Sequence, residues 1–227
     1  MLKVKNLQQL KKLIHKEIEQ HGVHCDLNHL DVSSLRTMTQ LFMNMDFQGD
    51  ISQWNVSNVQ DMSYMFSGST FNGDVSMWNV SSVIDMSNMF EGGMFQGNIS
   101  QWNLRSLVST AYMFRSSLYQ GVLSKWNTSN VQNMQAMFYG SKFNGDISGW
   151  NTHNVMSMQY MFVHSAFQGD LSNWDLSTLQ AQYDGKNASA FSLKSTDPSL
   201  ATLYTFHDSP LGYIGVLQDD YDFPQAH

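Results

Sequence analysis

FQGDISQWNVSNVQDMSYMF, residues 47–66, returns as FNGDISGWNTHNVMSMQYMF at residues 143–162, four periods of 24 residues later. The tryptophans mark the period. Trp54, Trp78, Trp102, Trp126, Trp150 and Trp174 are all spaced by 24, and the chain's 6 tryptophans all belong to this series. A fixed period of this length is the signature of tandem repeats. Other columns keep the step: Phe42 to Phe162, Phe47 to Phe167 and on to Phe191 (with Tyr119 in place of one Phe), Met65 to Met161, and Gly49 to Gly169. An aliphatic column runs from Leu27 to Leu171, followed from Ser52 by a Ser column, and Asn or Asp follows each Trp.

Within one repeat, Ile51, Trp54, Val56 and Val59 have the L-x-x-L-x-L-x-x spacing of the strand half of a leucine-rich repeat. Trp54 and Val56 flank exposed Asn55, as in a short strand with one face buried. From Ser57 onward, Val59, Met62 and Phe66 fall at i, i+3 and i+7, which predicts a short helix ending at Gly68 or Ser69. Buried indole N–H groups need acceptors, and the Ser and Asn/Asp columns are the candidates. The expectation is an α/β leucine-rich-repeat-like solenoid with short parallel strands and short helices. About seven turns span residues 26–191.

Residues 1–25 flank this array as an amphipathic helix, with Leu7, Leu10, Leu13, Ile14 and Ile18 on one face, and are expected to cap the open end of the stack. Up to residue 20 the chain has five basic and two acidic residues, or +3; the remainder has seven and seventeen, or −10. Residues 192–227 leave the period. Their apolar run LGYIGVL (211–217) reads either as a C-terminal cap or as a tail that pairs with a partner's sheet edge, a second copy of the chain included, giving a homodimer through the C-terminal end.

Of the 227 residues, 42% are hydrophobic and 14% charged, with a net charge of −7. This argues against disorder and against a general nucleic-acid binder. No stretch approaches the ~18 apolar residues of a membrane span, so no membrane partner is expected. Cys25 is the only cysteine, which excludes an intrachain disulfide and suggests a cytoplasmic location.

The two quoted segments resemble the BspA-like leucine-rich-repeat family, with its FNGDISxWNVSNVxDMSxMF units. The resemblance covers about 165 residues and implies an α/β solenoid that binds proteins without catalysis. It is to the cytoplasmic or mobile-element members found in bacteria and their phages, which suggests a protein that modulates a host protein.

Chemistry is sparse. His21, His24, Cys25 and His29 have metal-ligand spacing and define the alternative reading, a metal-dependent or enzymatic module, but Leu27 and Leu30 place them in the first coil. The Gly-Asp steps suggest stacked calcium sites until Asn98 and Val122 interrupt the column. No phosphate loop, nucleophile elbow or H-E-x-x-H occurs. No catalytic residue, metal or cofactor is therefore expected, and the protein is read as not an enzyme. Partner-binding candidates are the variable and Asn positions of the expected sheet face, Gln53, Asn55, Met77, Asn79, Gln101, Asn103, Lys125 and Asn127, with Arg105, Arg115 and Tyr139 from the loops.

Overall fold

A computed structural model describes residues 1–181 of the chain. Phe191, the run 211–217 and the proposed C-terminal cap, tail or dimer contact lie outside the described residues. The described elements are β1 (Leu2–Lys3), α1 (Leu7–His21), β2 (Leu30–Asp31) and α2 (Ser177–Ala181). β1 and β2 are parallel, with Leu2 opposite Leu30 and Lys3 opposite Asp31. Everything between β2 and α2 is a series of tight turns and short extended links, wound so that each residue lies beside the one 24 positions on. Parallel bridges join Thr37 to Asp61, Asp61 to Asp85, Asp85 to Ser109, Ser109 to Asn133 and Asn133 to Ser157.

One coil shows why. Asp50 Oδ1 accepts from the Ser52 amide at 2.8 Å, Asn55 from Ser57 at 3.1 Å and Asp61 from Ser63 at 2.9 Å. A carboxylate or amide that accepts a backbone N–H two residues on bends the chain without any partner from the next coil. Backbone bonds close the same corners, from the Trp54 amide to Ile51 and from Val59 to Val56. Two further turns follow, Met62–Met65 and Phe66–Ser69, each closed by a bond from its fourth amide to its first carbonyl. Tyr64 (φ 58°) and Gly68 (φ 64°) hold the third positions in left-handed conformation, as type II turns require.

These turns replace the predicted helix. The amides of Met62, Tyr64, Phe66 and Gly68 donate to the carbonyls of Asp85, Ser87, Met89 and Glu91 in the next coil, so none serves an i→i−4 ladder. Two successive four-residue turns bury the same i, i+3, i+7 positions that a helix would. The predicted strand at 51–56 is likewise a pair of turns, and the inter-coil bridges sit in the Asp61 row instead.

Inside, Ile51, Trp54, Val56, Val59, Met62, Met65, Phe66 and Phe71 are each at most 4% exposed. Two columns of parallel rings run through the core. Phe42, Phe66, Phe90, Phe114, Phe138 and Phe162 stack at 5.5–5.8 Å between centroids. Phe47, Phe71, Phe95 and Tyr119 continue a second stack at 6.0–6.3 Å, and Phe66 meets Phe71 at 4.3 Å. The glycine column makes room for the second stack: a Cβ on Gly73 would lie 2.7 Å from the Phe71 ring.

The indole N–H groups do not use the Ser or Asn columns. Each donates to the carbonyl of the aliphatic residue 27 positions earlier, Trp54 to Leu27 at 2.9 Å and Trp174 to Ile147 at 3.0 Å, with the four between alike. At the N-terminal end, α1 buries Leu10 and Ile14 completely in the same core cluster as Leu27 and Leu30. Asn6 caps it by accepting from the Gln9 amide at 2.9 Å.

Two stability predictions follow from this packing. Gly92 (φ 61°) has open space where a Cβ would go, so Gly92→Ala should cost only the left-handed backbone penalty, about 1 kcal/mol by denaturant midpoint. Gly68→Ala should cost more, because its Cβ would meet the Asn44 side chain at 2.2 Å; equal losses would refute the distinction. Tyr119 is fully buried and its hydroxyl has no hydrogen-bond partner. Tyr119→Phe should therefore raise stability by about 1 kcal/mol in the same measurement, and a loss would show that the hydroxyl is satisfied.

Candidate functional site

The polar columns that invite a chemical reading are occupied by the fold. Asp26, Asp50, Asp74, Asn98, Asp146 and Asp170 each accept the backbone amide two residues on, at 2.7–3.1 Å. Asn98 does this as well as an aspartate, so the Gly-Asp steps are turn caps. The Ser76 and Ser52 amides hold Asp74 and Asp50 below the ordinary carboxylate range, and the Ser148 and Ser172 amides do the same for Asp146 and Asp170. At the far end, the Ser177 hydroxyl and amide, with His153, draw Asp175 down to about 2.

Around His21–His29, the Nε2 atoms of His21 and His29 approach the Glu17 carboxylate at 3.7 and 3.5 Å. Cys25 is buried, and burial followed by nearby carboxylates pushes its thiol up, which keeps it from being a reactive thiolate. His24 is exposed. Among the described residues no group of three or more His, Cys, Asp or Glu is arranged to hold a metal ion. His153, Asp175 and Ser177 meet, but both partners face the same His153 Nδ1, Asp175 at 2.9 Å and Ser177 at 3.4 Å. A base that activates a serine needs one ring nitrogen for each.

The partner-binding candidates divide between two walls. Gln53, Met77, Gln101 and Lys125 form one exposed row, with Met77 at 85% exposure, and Asn55, Asn79, Asn103 and Asn127 form the row beside it. The asparagines close turns, Asn103 by accepting from the Arg105 amide and Asn127 from Ser129, so their role is in part structural. This wall backs the tryptophans. Arg115 and Tyr139 lie half a coil away, on the wall behind the Phe66 stack, which meets the indoles across the core (Phe66 to Trp78, 6.4 Å). The row that the sequence reading treats as one sheet face is thus a corner, separate from Arg115 and Tyr139.

On that second wall the structure assembles a cluster. The Arg115 guanidinium lies 3.0 Å from Glu91 and over the rings of Tyr139 (5.5 Å) and Tyr112 (5.9 Å), and His164 packs edge-on to Tyr139 at 5.6 Å. Glu91, Arg115 and Tyr139 share one column, so their neighbourhood is legible from the period. Tyr112 stands in a different column and only the type II turn brings its ring beneath Arg115.

Residues 8–119 and 93–197 match the family described as "Mycoplasma protein of unknown function, DUF285", also known for its BspA-like repeats. The chain belongs to this family. No curated protein and no solved structure matches it. No helix among the described residues is long and apolar enough to cross a membrane.

Because the folded-state pKa values of these aspartates lie below the unfolded ones, the stability they confer is complete above roughly pH 4 and is lost as pH falls toward about 2. Replacing Asp50, Asp74, Asp146 and Asp170 by Asn keeps an acceptor in each turn and removes the titration. The fall in melting temperature from about pH 5 to pH 2, followed by circular dichroism, should become shallower. An unchanged acid limb would show that the turn caps do not carry the linkage.

Proposed function

We propose that the chain is a non-catalytic protein-interaction solenoid of leucine-rich-repeat type, built on turns in place of helices, that docks another protein through its exposed walls. The observation that supports this reading is where the side-chain chemistry goes. Rows that repeat are spent on turn caps and core, whereas rows that vary, such as Gln53–Met77–Gln101–Lys125 and Glu91–Arg115–Tyr139, point outward. Variation on a repeating scaffold is how solenoids distinguish partners. In this reading the protein is cytoplasmic, needs neither metal nor cofactor, and acts on a host protein of a bacterium or phage system by occupying its surface. The alternative, a metal-dependent or enzymatic module at His21–His29, has no comparable support.

The test is affinity capture from bacterial lysate with two wall variants that remain folded by circular dichroism. One carries Gln53→Glu, Gln101→Glu and Lys125→Glu; the other carries Arg115→Ala and Tyr139→Ala. A partner enriched by the native chain should be lost from one variant and kept by the other. Absence of any partner, or loss from neither variant, would count against the reading.

A further inference from the structure

A third outer face consists of the extended links between coils, where residues alternate in and out around the second aromatic stack. Its outward rows are Asp46–Thr70–Met94–Leu118–Lys142, Gln48–Asn72–Gln96–Gln120–Asn144 and Asp50–Asp74–Asn98–Val122–Asp146. The middle row is tied from coil to coil. The Gln96 amide donates to Asn72 Oδ1 at 2.8 Å, the Gln120 amide to Gln96 Oε1 at 3.2 Å, and Gln96 Nε2 to the Leu118 carbonyl.

In two adjacent coils this polar face turns apolar: Met94, Leu118 and Val122 are 56%, 48% and 58% exposed. Parallel neighbours stack at ~4.8 Å and an extended chain rises ~3.3 Å per residue, so the three side chains fall within one island about 13 Å across. Val122 is the informative member. Its column supplies the carboxylate or amide that caps a turn in six other coils, from Asp26 to Asp170, and valine has no acceptor to offer. The coil gives up a stabilising bond and exposes a β-branched apolar side chain in its place, a local conflict of the kind that collects at functional positions. Charge frames the island. Asp26, Asp46, Asp50 and Asp74 lie on one side of it and Asp146 and Asp170 on the other, with Lys142 as the lone cation of these rows.

We propose that this island docks a segment of another protein in which apolar side chains are flanked by lysine or arginine. Met94, Leu118 and Val122 take the apolar groups, and the surrounding aspartates take the cations. Such pairing of a small apolar centre with a complementary charged rim is the usual anatomy of a specific interface. The inference rests on the docking reading above and assigns to it a face and a partner chemistry.

The probe is a fluorescein-labelled peptide of about ten residues alternating leucine and lysine, with leucine–glutamate and serine–lysine versions as comparisons. Fluorescence anisotropy on the full chain should show the leucine–lysine peptide binding about tenfold more tightly than either comparison. The variant Met94→Thr, Leu118→Thr and Val122→Asp copies Thr70 and Asp74 from the same rows, so it restores a turn cap and adds one negative charge. It should lose about tenfold in affinity while its melting temperature holds or rises. General attraction of a cation to an acidic chain predicts the opposite, and undiminished binding by this variant would overturn the proposal. Equal binding of the serine–lysine or the leucine–glutamate peptide would overturn it too, by showing that charge alone or apolarity alone suffices. If the island variant binds undiminished while a captured lysate partner is still lost from one of the wall variants, the docking reading stands and the island does not. If neither loses its ligand, both fail.

Discussion

Six indole N–H groups each find a backbone carbonyl 27 residues back, at 2.9–3.1 Å. The separation is one 24-residue coil plus three residues, the step across the turn from the aliphatic residue to its tryptophan. The largest side chain of every repeat is therefore buried only if its coil sits in register on the coil before. An indole N–H left without an acceptor in this core would cost several kcal/mol, and no nearby side chain replaces the carbonyl. Insertion of a single residue in any coil would shift one indole off its acceptor and break two ring stacks at once. That dependence explains why the spacing of the tryptophans never varies.

The corners are closed by short polar side chains acting on their own backbone. Asp, Asn, Ser and Thr at the turn starts accept an amide two residues on, so each coil bends by itself and only its registry comes from its neighbours. This local self-sufficiency suits a stack in which each unit touches only the two beside it. It also removes most of the chain's carboxylates from consideration as chemistry. The same geometry that makes the Asp50 column look like a metal ladder in the sequence makes it a row of turn caps in space.

The period, the buried columns and the N-terminal amphipathic helix were legible because each depends on side-chain size and spacing alone. Helices in each repeat were misread, since Val59, Met62 and Phe66 bury identically in one helix or in two consecutive turns. The difference lies in the left-handed φ at Tyr64 and Gly68, and tyrosine gives no hint of it. Gly68 taken alone reads as a helix stop, which is consistent with either. The candidate binding residues were drawn from the right rows, but as one face; Arg115 and Tyr139 belong to the wall opposite Gln53 and Asn55. Tyr112 escaped notice because a ring beneath a guanidinium leaves no periodic trace.

By itself the sequence determined how many residues make a coil, which side chains fill it and where the pattern breaks, because repetition is a property of order along the chain. Only the tertiary structure decided what each backbone amide bonds to. Met62, Tyr64, Phe66 and Gly68 give their hydrogens to the coil ahead, and that choice turns helical spacing into stacked turns. It also decided which variable positions share a wall. Met94, Leu118 and Val122 are far apart in sequence and lie within one island, for the reason that a 24-residue coil returns each position to within one backbone hydrogen bond of its neighbour.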